Sequence, residues 1–309
     1  MQLLFSYYNQ IVHIKNKKNL QIEISKQLNH SIFDIEKNFF DIISITIILK
    51  NINEEKKQIA KNELIKKSKS RFNLSRNKII NFLETNTEII DNLIKYNNHW
   101  NTKTEKIRDW YNILIKEEFY KNYILLDIPS IEEDLDFVQN LILKFILKND
   151  DIRLFFEEKN IFWSEDLLIV RSMIKKTIKT LNSPNFNTFA SASLSDDIED
   201  DIKFACSLLD CVIDNSDKYD KYISEFAKNW DLERISLMDR TILKMGIGEM
   251  IHFNNIPVKV SINECIDIAK YYSSPKSGKF INGLLDVISL NLLKEDKIIK
   301  TGKGLIDNK

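Results

Sequence analysis

The chain has 309 residues, enough for one large domain or two modest ones, and 43% of them are hydrophobic, sufficient to fill a core. Lysine plus arginine equals aspartate plus glutamate at 45 each, so no global field marks the chain for a polyanion or a membrane surface. Three cysteines, Cys206, Cys211 and Cys265, make no disulfide framework and fit a reducing compartment, with the cytoplasm as the expected location.

Only six glycines and four prolines interrupt the chain, and apolar residues recur three and four apart, which is the helical period. An all-α protein is expected. The opening MQLLFSYYNQ has no basic lead-in or cleavage site, and the longest apolar run, IISITIIL, is too short to span a bilayer, so no secretion or membrane insertion is expected.

Residues 1–50 read as two amphipathic helices broken at KNKKN, the second carrying Leu28, Ile32, Ile35, Phe39, Ile42 and Ile43 on one stripe. Residues 50–78 are cationic, with Lys50, Lys56, Lys57, Lys61, Lys66, Lys67, Lys69, Arg71, Arg76 and Lys78 against Glu54, Glu55 and Glu63. A solvated helix face and a nucleic-acid contact both fit that run. Further helices follow to residue 181, with a stop and fresh start at DIPS, where Pro129 disfavours helix at Ile128. The turn-rich NSPNFNTFASASLS, 182–195, reads as a linker between an enlarged N-terminal helical part, 1–181, and a C-terminal helical bundle, 196–293. Long, loosely patterned helices are expected before it and shorter, well-capped ones after it, with residues 294–309 as a disordered tail.

The acidic cluster Asp196 to Asp201 suits a helix N-terminus, where the backbone dipole favours negative charge. In SLMDRTILKMGIGEMIHFNN, Ser236 and Asp239 form a capping pair, and Gly246 and Gly248 imply a neighbouring helix passing close. Next, Ser261 with Glu264 reads as a capping box after Pro257. In SSPKSGKFINGLLD, a helix starts near Ser274 or Ser277 and gathers Lys276, Lys279, Tyr271 and Tyr272 at one end. Unpaired backbone N–H groups with lysines form an anion site, and aromatics beside them can stack on an unpaired base.

SPKSGKF is no Walker loop, because Phe280 stands where Ser or Thr is needed and no strand precedes it. Taken as an isolated Phe at helical spacing, Phe280 fits a core position better than a stacking one, and Asn282-Gly283 fits close packing. His13, His30, His99 and His252 have unrelated spacings, and the cysteines give neither a zinc site nor a Cys-His pair, so neither catalysis nor a cofactor is expected.

The succession NWDLERISLMDRTILKMGIGEM and IPVKVSINECIDIAKYYSSPKSGKFINGLLDVI, residues 229–290, resembles the NusB family of transcription antitermination factors. That family's pattern runs tryptophan, an acidic-basic pair at a helix start, Ile-Pro, Asn-Glu-Ala, Ala-Lys and Ser-x-Lys-Phe-x-Asn-Gly-x-Leu-Asp. The longer upstream part, with WSEDLLIV and DDIEDDIKFACSLL, resembles extended NusB-like proteins of the Bacteroidetes type.

The resemblance implies two packed helical bundles with an enlarged N-terminal part and no catalysis. It implies binding to boxA-like ribosomal RNA with NusE, a small-subunit ribosomal protein, within an RNA polymerase antitermination complex that supports rRNA transcription and ribosome biogenesis. By matched position, Ser277, Lys279 and Phe280 fall where the family touches RNA, with Tyr272 and Lys276 beside them, whereas Asp239 and Phe5 match the NusE surface. In the family an arginine-rich segment precedes the MQLLFSYY position; its absence here points to an upstream basic extension in the natural protein. A helical scaffold that contacts NusE without specific RNA binding is the competing expectation.

Overall fold

The computed structural model describes residues 1–14, 16–62, 73–96, 100, 104–182, 186–227 and 234–308. Among these, every regular element is helical. The α-helices run in the order α1 (Gln2–Ile11), α2 (Lys17–Asn62), α3 (Lys78–Thr85), α4 (Thr87–Lys95), α5 (Thr104–Leu114), α6 (Glu118–Ile124) and α7 (Ile131–Asn140). They continue as α8 (Asp150–Lys159), α9 (Trp163–Thr180), α10 (Ile198–Asp214), α11 (Ser216–Phe226), α12 (Leu237–His252), α13 (Val258–Tyr272) and α14 (Ser277–Lys294). No helix among the described residues is long and apolar enough to cross a membrane.

The chain divides into two compact units, a terminal one formed by Met1–His30 with Asp197–Lys309, and a central one formed by Ser31–Asp196. The N-terminal part defined by residues 1–181 is therefore not a single body. Its first thirty residues belong with the C-terminal bundle, because Leu3, Leu4 and Tyr7 of α1 are buried and α1 packs on α12.

In the central unit, the apolar run of α2 is buried on all sides, with Ile42, Ile43, Ile45, Ile47 and Leu49 all in the core. A helix apolar around its circumference needs partners around its circumference. The central unit supplies them in the buried faces of α3, α5, α7, α8 and α9. Several of these helices are short, α3 and α6 having 8 and 7 residues. Helix length does not divide the chain as expected: α2 and α9 have 46 and 18 residues, but α10, α12 and α14 of the terminal unit have 17, 16 and 18. Local caps explain how short helices persist: Asn77, Asn86 and Asn149 each accept a first-turn N–H, and Ser130 with Glu133 completes a capping box after Pro129.

The cationic run is partly internal. Lys50 is buried and bonds Glu84 and Asn81, Lys56 lies over the Tyr111 ring, and Lys57 reaches Ser75. Lys66, Lys67, Lys69 and Arg71 lie outside the described residues, as do His99 and Trp230. The segment read as a linker is a loop pinned to the central unit. Phe186 and Phe189 pack on the Phe82 ring, and the Thr188 hydroxyl donates to the Thr180 carbonyl at 3.1 Å.

In the terminal unit, α12 is the central helix and packs against α1, α10, α11, α13 and α14. Ile242, Leu243 and Ile247 are fully buried, each burial contributing about 1.5–3 kcal/mol. Both glycines of this helix sit at close approaches, as the sequence implied. A Cβ on Gly246 would lie 2.8 Å from Cys265 Sγ, and one on Gly248 2.9 Å from Val212. The next helix differs from expectation: α13 begins at Val258 with Pro257 at its N-cap, so Ser261 sits inside the helix, buried, and makes no capping box with Glu264. The residues read as a disordered tail are docked. Ile298 is buried, the Thr301 N–H donates to the Asn254 carbonyl at 2.9 Å, and Lys300 Nζ donates to the Phe253 carbonyl at 3.0 Å.

Candidate nucleic-acid interface

The α13–α14 junction brings together most of the residues that the sequence singled out. Helix α13 ends at Tyr272, Ser273 adopts extended backbone, and α14 starts at Ser277. Of the two starts open from sequence, the later one is taken. Ser274 instead closes a turn, its carbonyl accepting from the Ser277 N–H at 2.9 Å. Ser273, Ser274 and Pro275 separate the two helices, with Lys276 at the N-cap of α14 and Lys279 in its first turn.

Both lysines are exposed, Tyr271 is 83% exposed, Tyr272 is 38% exposed and Phe280 is half-buried. Phe280 is therefore neither sealed in the core nor fully projecting. Its exposed part can offer a ring edge or face to a base. Ser277 behaves differently. It is 4% exposed, and its hydroxyl lies 2.8 Å from that of Ser274 and donates to Asp239 Oδ2 at 3.0 Å. The Ser273 hydroxyl donates to Asp239 Oδ1 at 2.6 Å. Ser277 therefore organises the turn from beneath.

Asp239 serves two helices. As the third residue of α12 its N–H is capped by Ser236 Oγ at 3.1 Å, while its buried carboxylate accepts from Ser273 and Ser277. Phe5 is half-buried on α1. Gly283 faces open space with nothing within 4 Å of a Cβ, so close packing does not account for it.

A second feature of the terminal unit escaped the sequence reading. Arg240 and Lys244, one turn apart on α12, converge on Asp220 of α11; Lys244 Nζ lies 2.8 Å from Asp220 Oδ2, 2.7 Å from Ser216 Oγ and 4.5 Å from the Tyr8 ring centre. Burial opposes ionisation of Asp220, but hydrogen bonds from Arg240 and Lys244 hold its carboxyl below the usual value. Burial in turn lowers Lys244, with Asp220 opposing. The cluster borders a cleft of about 550 Å³ lined also by Tyr7, His13, Lys17 and Asp214. The i, i+4 spacing of Arg240 and Lys244 was visible in sequence, but their shared carboxylate lies on another helix.

Chemistry of the reactive residue types is muted. Burial raises the thiols of Cys211 and Cys265 to about 12, so both stay protonated at neutral pH. No group of His, Cys, Asp and Glu among the described residues is arranged to hold a metal ion.

The profile of the NusB family matches residues 169–289, from within α9 to within α14. The chain is 43% identical over 104 residues to the transcription antitermination protein NusB of Dictyoglomus turgidum, covering 34% of this chain and 70% of that relative. The chain belongs to the NusB family. The NusB protein of Chloroherpeton thalassium is 38% identical over 121 residues, 38% of this chain, and that of Salinibacter ruber is 42% identical over 103 residues, 33% of this chain. This chain spans 57% and 64%, respectively, of those two relatives. A solved structure titled "T. maritima NusB, P3121, Form 2" is 27% identical, covers 47% of this chain and 88% of its own, and has a TM-score of 0.31. The interface residues Tyr272 to Phe280 lie inside the NusB match, as does Asp239, whereas Phe5 lies outside it.

Proposed function

We propose that this NusB-family chain is an RNA-binding transcription antitermination factor that acts, without catalysis, on boxA-type ribosomal RNA leaders together with NusE. The observation that carries this reading is the α14 start, where exposed Lys276 and Lys279 precede a half-buried Phe280, with Tyr272 on the preceding helix end. Cations at a helix N-terminus bind phosphate, and an aromatic beside them accepts an unstacked base, which is the recognition chemistry of single-stranded RNA. The relatives' printed name, transcription antitermination protein, supports the same reading. In it, Tyr272, Lys276, Lys279 and Phe280 contact RNA, Ser277 shapes the turn, and Phe5 with the start of α12 at Asp239 meets NusE. The complex then travels with RNA polymerase, supporting rRNA transcription and ribosome biogenesis in the cytoplasm.

The test is fluorescence anisotropy of the whole chain with a labelled boxA-type RNA and a scrambled RNA of equal length, with and without NusE. The reading predicts tighter binding to the boxA-type RNA and a further gain when NusE is present. Capture of NusE with no preference between the two RNAs would instead favour a protein-binding scaffold.

A further inference from the structure

We infer that Asp239 is a positioning residue for the α13–α14 turn, and that RNA affinity at that turn depends on its buried carboxylate although it touches no RNA. This rests on the RNA-binding reading proposed above and adds a route by which the α12 start governs the same site. The observation is a four-group clasp. Asp239 Oδ1 accepts from Ser273 Oγ at 2.6 Å and Oδ2 from Ser277 Oγ at 3.0 Å. The Ser273 hydroxyl also lies 2.9 Å from Ser277 Oγ, and Ser274 Oγ lies 2.8 Å from it.

Asp239 and Ser277 are 9% and 4% exposed, so the clasp is largely shielded from water, where hydrogen bonds to a carboxylate are strongest. It ties the last residue before the turn, Ser273, to the first residue of α14, Ser277, through a group fixed on a third helix. Lys276 precedes Ser277 directly, and Lys279 and Phe280 lie within the first turn that Ser277 starts. The exposed groups of the tip thus take their direction from a buried anchor. A rigid tip loses less conformational freedom on binding than a mobile one. Because Asp239 lies in the first turn of α12, any contact that shifts the start of that helix is passed to the tip through two hydrogen bonds.

The experiment measures binding of a labelled boxA-type RNA by the whole chain at several salt concentrations, using Asp239→Ala, Lys279→Ala and their combination. Thermal melting of each variant establishes that it is folded at the assay temperature. Asp239→Ala is expected to weaken RNA binding about tenfold while leaving the slope of affinity against salt unchanged, since no phosphate contact is removed. Lys279→Ala is expected to matter less in the Asp239→Ala background than alone, because the lysine is already misdirected. A residue that only supports the fold would leave the two effects additive. Should Asp239→Ala fail to fold, Ser273→Ala with Ser277→Ala removes the clasp from its other side and carries the same expectations. The inference is overturned if the parent chain binds and the clasp variants bind RNA within about twofold of it, or if the effects simply add. Failure of the parent chain itself to bind any RNA overturns the functional reading, and this inference with it.

Discussion

Asp166 on α9 is nearly fully buried, and burial pushes its carboxyl up to about 6 against the lowering effect of the Asn160 amide, which donates to it at 2.8 Å. A carboxyl with a raised pKa in the fold holds its proton longer folded than unfolded. Its contribution is therefore full below the ordinary carboxylate range and is lost as pH rises toward about 6. Asp166→Asn should remove that decline and leave the protein about 2 kcal/mol more stable than the parent at pH 7.5, as read from urea melts at a series of pH values. Asp220 acts in the opposite direction. Its lowered carboxyl stabilises the fold above the ordinary carboxylate range, and that contribution disappears as pH falls through its folded value. Asp220→Ala would leave buried Lys244 without its anion and should cost about 3 kcal/mol in urea denaturation at pH 7.

At the scale of helices, the glycines of the terminal unit give opposite expectations from the same substitution. Gly283→Ala adds a methyl group to open space and removes a flexible residue from α14, so thermal melting should show a gain of about 0.5–1 kcal/mol. Gly246→Ala must displace Cys265 Sγ at 2.8 Å and Leu285 at 3.0 Å, so the same melt should show a loss of about 1–3 kcal/mol. Gly246 was readable from the apolar stripe around it, whereas Gly283 looked alike in sequence and has no packing role. Local signals carried well: the Ser236 and Ser130 caps are decided within four residues, and both helix starts stand where those residues put them. The Ser261–Glu264 box was misread because Pro257 already started the helix one turn earlier. Ser273 and Ser277 meet Asp239 across separations of 34 and 38 residues, and no helical period reports that meeting.

For the molecule as a whole, the absence of strands among the described residues and the breaks between α1 and α2 and at Pro129 follow from composition and turn residues alone. Membership of the two units does not. The grouping of Met1–His30 with the C-terminal helices depends on which apolar faces find each other, and the docking of residues 298–304 depends on backbone bonds to the α12–α13 turn. The candidate interface was legible because its lysines and aromatics are neighbours in sequence; its buried anchor was not, because it belongs to another helix. With formal net charge at zero, the proposed RNA binding rests on such a local tip and not on a global field. The most direct measurement is the affinity for a boxA-type RNA across salt concentrations for the parent chain, Lys279→Ala and Phe280→Ala. The account predicts that Lys279→Ala lowers the salt slope by about one, and that Phe280→Ala loses about 1–3 kcal/mol with the slope unchanged. Unaltered affinity and slope in both variants would contradict it.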